Sequence, residues 1–136
     1  MAHVLLVEDE SNLRRLYRLE LQPEGYEIIE AASGAEAVRV LQGDQPLDAV
    51  ILDLNLPDVM GWKLLDLIAA YRPHVPAIIN TAYGSFLQEF RGWRADAYIV
   101  KSADLTPLKE ALARCLAASW RREHENVIEF KRARFE

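Results

Sequence analysis

Three carboxylates stand where a folded chain does not place them without reason: Glu8 and Asp9 in LLVEDE, and Asp53 inside the apolar run AVILDLNLPD. A carboxylate set among Ala, Val, Ile and Leu loses its hydration, which costs free energy unless it is paired, hydrogen-bonded or bound to a cation. Brought into one crevice, such groups raise one another's pKa until a cation neutralises them. Oxygen donors with room for water suit magnesium better than zinc. Thr81 and Lys101 would add a hydroxyl and an ammonium. Phosphoryl transfer needs that set, because its transition state spreads negative charge over the transferred oxygens and is stabilised by positioning and neutralising that charge. An Asp can be the nucleophile, forming an acyl phosphate, and Asp53 is the candidate.

The elements must bring these residues together. HVLLV (3–7), YEIIEAA (26–32), DAVILDL (48–54), PAIINTA (76–82) and AYIVK (97–101) read as five strands, short and rich in β-branched residues. Leu13, Leu16, Tyr17 and Leu21 mark a helix between the first two. Ser33 opens a second that Gly43 closes, Gly61 to Tyr71 forms a third and Phe86 to Trp93 a fourth. Thr106 as N-cap with Pro107 behind it opens a fifth, through LKEALARCLAASW.

Strict alternation of this kind predicts an α/β fold: a doubly wound, flavodoxin-like (βα)5 parallel sheet in the order 2-1-3-4-5. Its ligand crevice lies at the carboxyl ends of strands 1 and 3, where Glu8, Asp9 and Asp53 fall. Taken singly, each residue has a bland explanation, as a helix cap, a turn hydroxyl or a solvated lysine. Their convergence on one sheet edge is what argues for a site.

The 136 residues fit one domain, with 51% hydrophobic and 27% charged residues. A net charge of −5 argues against a dedicated nucleic-acid binder. No signal peptide or membrane-length apolar run is visible, so a cytoplasmic location is expected. Cys115 is the single cysteine and, at helical spacing with Leu108 and Leu112, reads as a small core residue. His3, His74 and His124 are too scattered for a transition-metal site. After Glu123 the stretch NVIEFKRARFE is expected to leave the helical pattern, either as a frayed terminus or as a partner-binding or dimerising extension.

LLVEDE, LDAVILDLNLPDVMGW, IINTAYG and ADAYIVKSADL, in that order, closely resemble the receiver domain of two-component response regulators over about residues 1–120. The resemblance implies a receiver domain over 1–120, and because 136 residues leave no room for a second domain, a stand-alone receiver with a C-terminal extension (121–136) and no effector domain is expected. It further implies that Asp53 accepts a phosphoryl group from a sensor histidine kinase or phosphotransfer protein. Magnesium is held by the Asp9 and Asp53 side chains and the Asn55 backbone carbonyl, with Glu8 acting through water. Thr81 hydrogen-bonds the phosphoryl group, Lys101 pairs with it, and Tyr98 is the switch aromatic. Pro57 and Gly61 match the loop after the phosphoacceptor. Output runs through helix 4, strand 5 and helix 5 to a downstream protein or by onward phosphotransfer, with no direct DNA binding, no membrane and a homodimer left open. The chain is then a switch that catalyses its own phosphorylation and dephosphorylation rather than an enzyme.

Two departures stand out. Ser102 follows Lys101 where the family usually has a cis proline, and a non-proline cis bond costs roughly 2.5–4 kcal/mol, so a trans peptide is expected. The stretch from Thr81 to Lys101 is short, and its Phe86, Phe90 and Trp93 are expected to pack on the core, with Trp93 a candidate partner contact. A haloacid-dehalogenase-type enzyme would need DxDx after the first strand, where VEDES stands. A flavodoxin-like carrier would need a phosphate-cradling loop there, which Glu8, Asp9 and Glu10 oppose. The remaining alternative is a degenerate receiver that only binds protein or dimerises without phosphorylation.

Overall fold

The structure, a computed structural model, describes residues 1–82 and 95–135, with side chains described as far as Glu125. The elements run β1 (Ala2–Val7), α1 (Ser11–Leu21), a 3-10 turn (Gln22–Glu24), β2 (Tyr26–Ala31), α2 (Gly34–Gln42), β3 (Ala49–Leu52), α3 (Gly61–Tyr71), β4 (Ala77–Thr81), β5 (Ala97–Val100) and α4 (Thr106–Phe135). The helix expected over Phe86 to Trp93, with Phe86, Phe90 and Trp93, lies outside the described residues.

All strands are parallel, in the order β2-β1-β3-β4-β5. The central strands β3 and β4 are buried at every position, as expected where helices cover both faces of a parallel sheet. Side chains alternate between two cores. Leu5, Val7, Val50, Leu52 and Ile79 pack with Leu64 and Ile68 of α3. Val4, Leu6, Ile51 and Ile78 pack with Tyr17 and Leu21 of α1 and with Leu108 and Leu112 of α4. Cys115 lies half-buried against this second core, and burial pushes its thiol pKa up.

The register delivers the functional edge. Val7 pairs with Leu52, and Thr81 with Val100. The ladder then runs one hydrogen bond further: Glu8 N–H donates to Ala31 O (3.0 Å), Asp53 N–H to Val7 O (3.0 Å) and Lys101 N–H to Thr81 O (2.7 Å). Glu8, Asp53 and Lys101 are therefore each the first residue past a strand. β1 ends at Val7 as expected, the other four strands end one or two residues earlier than their runs suggest, and Asp53 and Lys101 stand outside them.

Other expectations are corrected locally. Leu16 on α1 is 42% exposed, while Leu13, Tyr17 and Leu21 turn inward. Ser33 caps α2 as expected, its Oγ accepting from Glu36 N–H (3.2 Å). Thr106 does not cap the last helix: it is already the first helical residue, and the Asp104 carboxylate accepts its N–H (3.0 Å). That helix does not stop near Glu123 but continues through Phe135, since no Gly or Pro follows Pro107. Among the described residues no peptide bond is cis, so Lys101–Ser102 is trans as its sequence requires. No helix of the described residues is long and apolar enough to cross a membrane.

Candidate functional site

Glu8 and Asp53, adjacent at the ends of neighbouring strands, are both almost fully buried. Such a pair is tolerable only if compensated, and Lys101 does so from the end of β5. Its Nζ donates to Glu8 Oε1 (3.2 Å) and Oε2 (3.0 Å) and to Asp53 Oδ2 (3.0 Å). Burial alone would lower the Lys101 pKa, but the hydrogen bonds to Glu8 and Asp53 outweigh it and hold the ammonium above its usual range. The Glu8 carboxyl goes the other way: burial, and then its hydrogen bond with Asp53, raise it to about 7 against the pull of Lys101. Asp53 Oδ1 accepts the N–H of Asn55 (3.1 Å), so both its oxygens are oriented.

Asp9, on the loop into α1, is exposed and completes the acidic set. Glu8, Asp9 and Asp53 each offer a carboxylate oxygen within 4.8 Å of the others. With Glu10, Asn55, Ala82 and Lys101 they line one open cleft. Three carboxylates against one ammonium leave an excess of negative charge on hard oxygen donors, which fits magnesium or another hard divalent cation.

The other expected residues fall on the same sheet edge in different settings. Thr81 is fully buried at the end of β4, its carbonyl accepting from Lys101 N–H. Tyr98 is half-buried on β5 beside the core of α2 and α3, and burial raises its phenol pKa. Pro57 is exposed on the β3–α3 loop, which an Asn55–Met60 bridge holds closed. Gly61 faces Leu54 so closely that a Cβ there would lie 2.4 Å from Leu54 Cδ2 and 3.0 Å from Leu54 Cα.

Several supporting residues escaped the sequence reading. Asn80, buried in β4, offsets part of the rise that burial gives the Tyr17 phenol pKa. Asp58 accepts Gly34 N–H (2.8 Å) and Ala35 N–H (2.9 Å), fastening the β3–α3 loop to the start of α2. Those bonds hold its carboxyl below the usual range. Arg14 of α1 donates through Nη1 to the Glu8 carbonyl (2.7 Å) and the Asp9 carbonyl (3.1 Å). An Asp five residues past Asp53, or an Arg five past Asp9, carries no pattern that announces such a contact.

The family description "response regulator receiver domain" matches residues 4–113. The transcriptional regulatory protein GlrR of Escherichia coli strain K12 is 36% identical over 120 residues, covering 87% of this chain but 27% of GlrR. The chain thus spans about a quarter of that regulator's length. Sporulation initiation phosphotransferase F of Bacillus subtilis is 29% identical, with 83% and 92% covered. The response regulator TrrA of Thermotoga maritima, solved in complex with Mg2+-BeF, is 37% identical at TM-score 0.78, with 85% of this chain and 99% of that one covered. TrrA has also been solved in complex with the histidine kinase ThkA.

Proposed function

Since the chain belongs to the response regulator receiver domain family, we propose that it is a phosphorylation-controlled switch whose phosphoacceptor is Asp53. The observation that carries this reading is the setting of Asp53: one oxygen on Asn55 N–H, the other on Lys101, beside Glu8 and Asp9. The donor is a phosphohistidine of a kinase or phosphotransfer protein. The kinase complex of TrrA supports such a partner, and its Mg2+-BeF complex supports the cation.

Asp9 and Asp53 through their carboxylates, and Asn55 through its carbonyl, would hold magnesium, with Glu8 acting through water. When bound, the ion neutralises charge on the transferred phosphoryl oxygens. Asn55 N–H orients Asp53 so that its carboxylate oxygen attacks phosphorus. A P–O bond forms as the donor's P–N bond breaks, and the freed imidazole takes a proton from solvent. Lys101 then exchanges its carboxylate partners for the phosphoryl oxygens. Thr81 and Tyr98 read the new charge, shifting a two-state equilibrium of the surface around β5 and α4. Delivery to a downstream protein or by onward phosphotransfer follows from that surface.

The test is intact-mass spectrometry after incubation with acetyl phosphate and magnesium. Wild type should gain one phosphoryl group and Asp53→Asn none. No gain in wild type, or an equal gain in Asp53→Asn, would overturn the reading.

A further inference from the structure

Arg14 is the fourth residue of α1, where a cation meets the positive end of the helix dipole. Its presence there requires another use. No acidic residue stands in the first turn of α1, and Glu10 at its N-cap position makes no side-chain cap hydrogen bond. The guanidinium instead reaches back over the loop and donates to the Glu8 and Asp9 carbonyls. These two peptide units bracket the Cα of Asp9, so their orientation fixes the direction in which its carboxylate leaves the backbone. Arg14 is in turn held by β2: its Nε lies 3.6 Å from Glu30 Oε1, while Arg18 Nη1 donates to Glu30 Oε2 (2.7 Å). The Arg14 side chain is 18% exposed and that of Glu30 31%, so water reaches this contact only in part.

We propose that Arg14 is a positioning residue of the magnesium site, holding the Glu8–Asp9 backbone so that the Asp9 carboxylate faces Asp53, with Glu30 as its anchor. The proposal rests on the reading of Asp9 as a magnesium ligand. Groups that orient metal ligands from behind typically change affinity by about 10- to 100-fold when removed. Electrostatics makes the opposite forecast: deleting a cation beside an acidic cluster strengthens its attraction for a divalent ion. The sign of the effect separates the two.

The experiment is calorimetric titration of the full chain with magnesium chloride alone, at low salt and at about 1 M KCl, where screening reaches about 3 Å. Thermal melts accompany each variant. Arg14→Gln should raise the Kd about tenfold at both salts. Glu30→Gln should raise it less, and the double variant should bind no more weakly than Arg14→Gln, since both act through one contact chain. A folded Arg14→Gln that binds magnesium as tightly as wild type, or more tightly, overturns the proposal. Should Arg14→Gln not fold, Glu30→Gln at high salt decides: a raised Kd supports the role and an unchanged one overturns it. Asp9→Asn is the reference. If it loses binding while Arg14→Gln does not, the positioning role fails alone. If wild type does not bind magnesium, the reading of the site fails and this inference with it.

Discussion

Lys101 is shared between Glu8 and Asp53, and the energetics of the cleft follow from that division. Replacing Lys101 with Met leaves two buried carboxylates facing each other without their ammonium. Stranding a fully buried ion costs roughly 3–5 kcal/mol; with Lys101 partly exposed and Glu8 able to take up a proton, about 1–3 kcal/mol is expected at pH 8 and less at pH 5. Urea unfolding at the two pH values checks this. Glu8 itself makes stability depend on pH. Its carboxyl titrates at about 7 in the fold against 4.5 as its ordinary value, so between those values the folded state keeps a proton the unfolded chain has lost. Stability contributed by this group therefore falls as pH rises through that window and is level above it. In EDTA, the Tm of Glu8→Gln minus that of wild type should grow from pH 5 to pH 8; a constant difference would refute the shift. At this scale the acidic residues, Thr81 and Lys101 were legible as types at strand ends. Arg14 and Asp58 were not, because their contacts are to backbone atoms that only the folded loops bring within reach.

Two loops frame the cleft, and each is fastened by an element not itself part of the chemistry. Asp58 docks the β3–α3 loop on the N-terminus of α2, where its depressed pKa marks stabilisation present above the ordinary Asp value of 3.8 and lost as pH falls below it. Asp58→Ala should lower the Tm at pH 7, with the deficit shrinking on acidification. Gly61 makes the second close approach. Ala in a helix gains about 1 kcal/mol over Gly, yet at this position its Cβ would press on the backbone of Leu54, next to Asp53. Overpacking costs typically 1–3 kcal/mol, so Gly61→Ala should be net destabilising by about 1 kcal/mol and should weaken magnesium binding, measurable by urea titration and calorimetry. Apolar runs identified the strands, but the reading overshot β3, where Leu54 prolongs the apolar pattern beyond Asp53, and β5, where the apolar run ends with the strand at Val100 and Lys101 adds only one further backbone hydrogen bond. The end of α4 was misread for the converse reason. Paired apolar residues in NVIEF suggest alternation, whereas a stretch of Arg, Glu, Lys and Ala without breakers supports continued helix.

The molecule has two cores divided by one sheet, so damage on one face should not be felt on the other. Ile68 of α3 and Leu112 of α4 lie in different cores. Ile68→Val should cost about 1 kcal/mol and Leu112→Ala about 3 kcal/mol, and the double variant should show their sum to within about 0.5 kcal/mol in urea unfolding. A larger discrepancy would mean that the sheet transmits strain between its faces. The strand order was readable because alternation of strand and helix, with right-handed crossovers, leaves few topologies. Parallelism also gives the molecule a polarity. Every strand points toward Glu8, Asp53 and Lys101, and strands of four to six residues at about 3.3 Å per residue set the opposite rim on the order of 13–20 Å away. Met1 stands on that rim, 86% exposed. A dye or surface tether attached there leaves the cleft open, making the start of β1 the natural handle for testing in real time whether the proposed phosphodonor and partners bind.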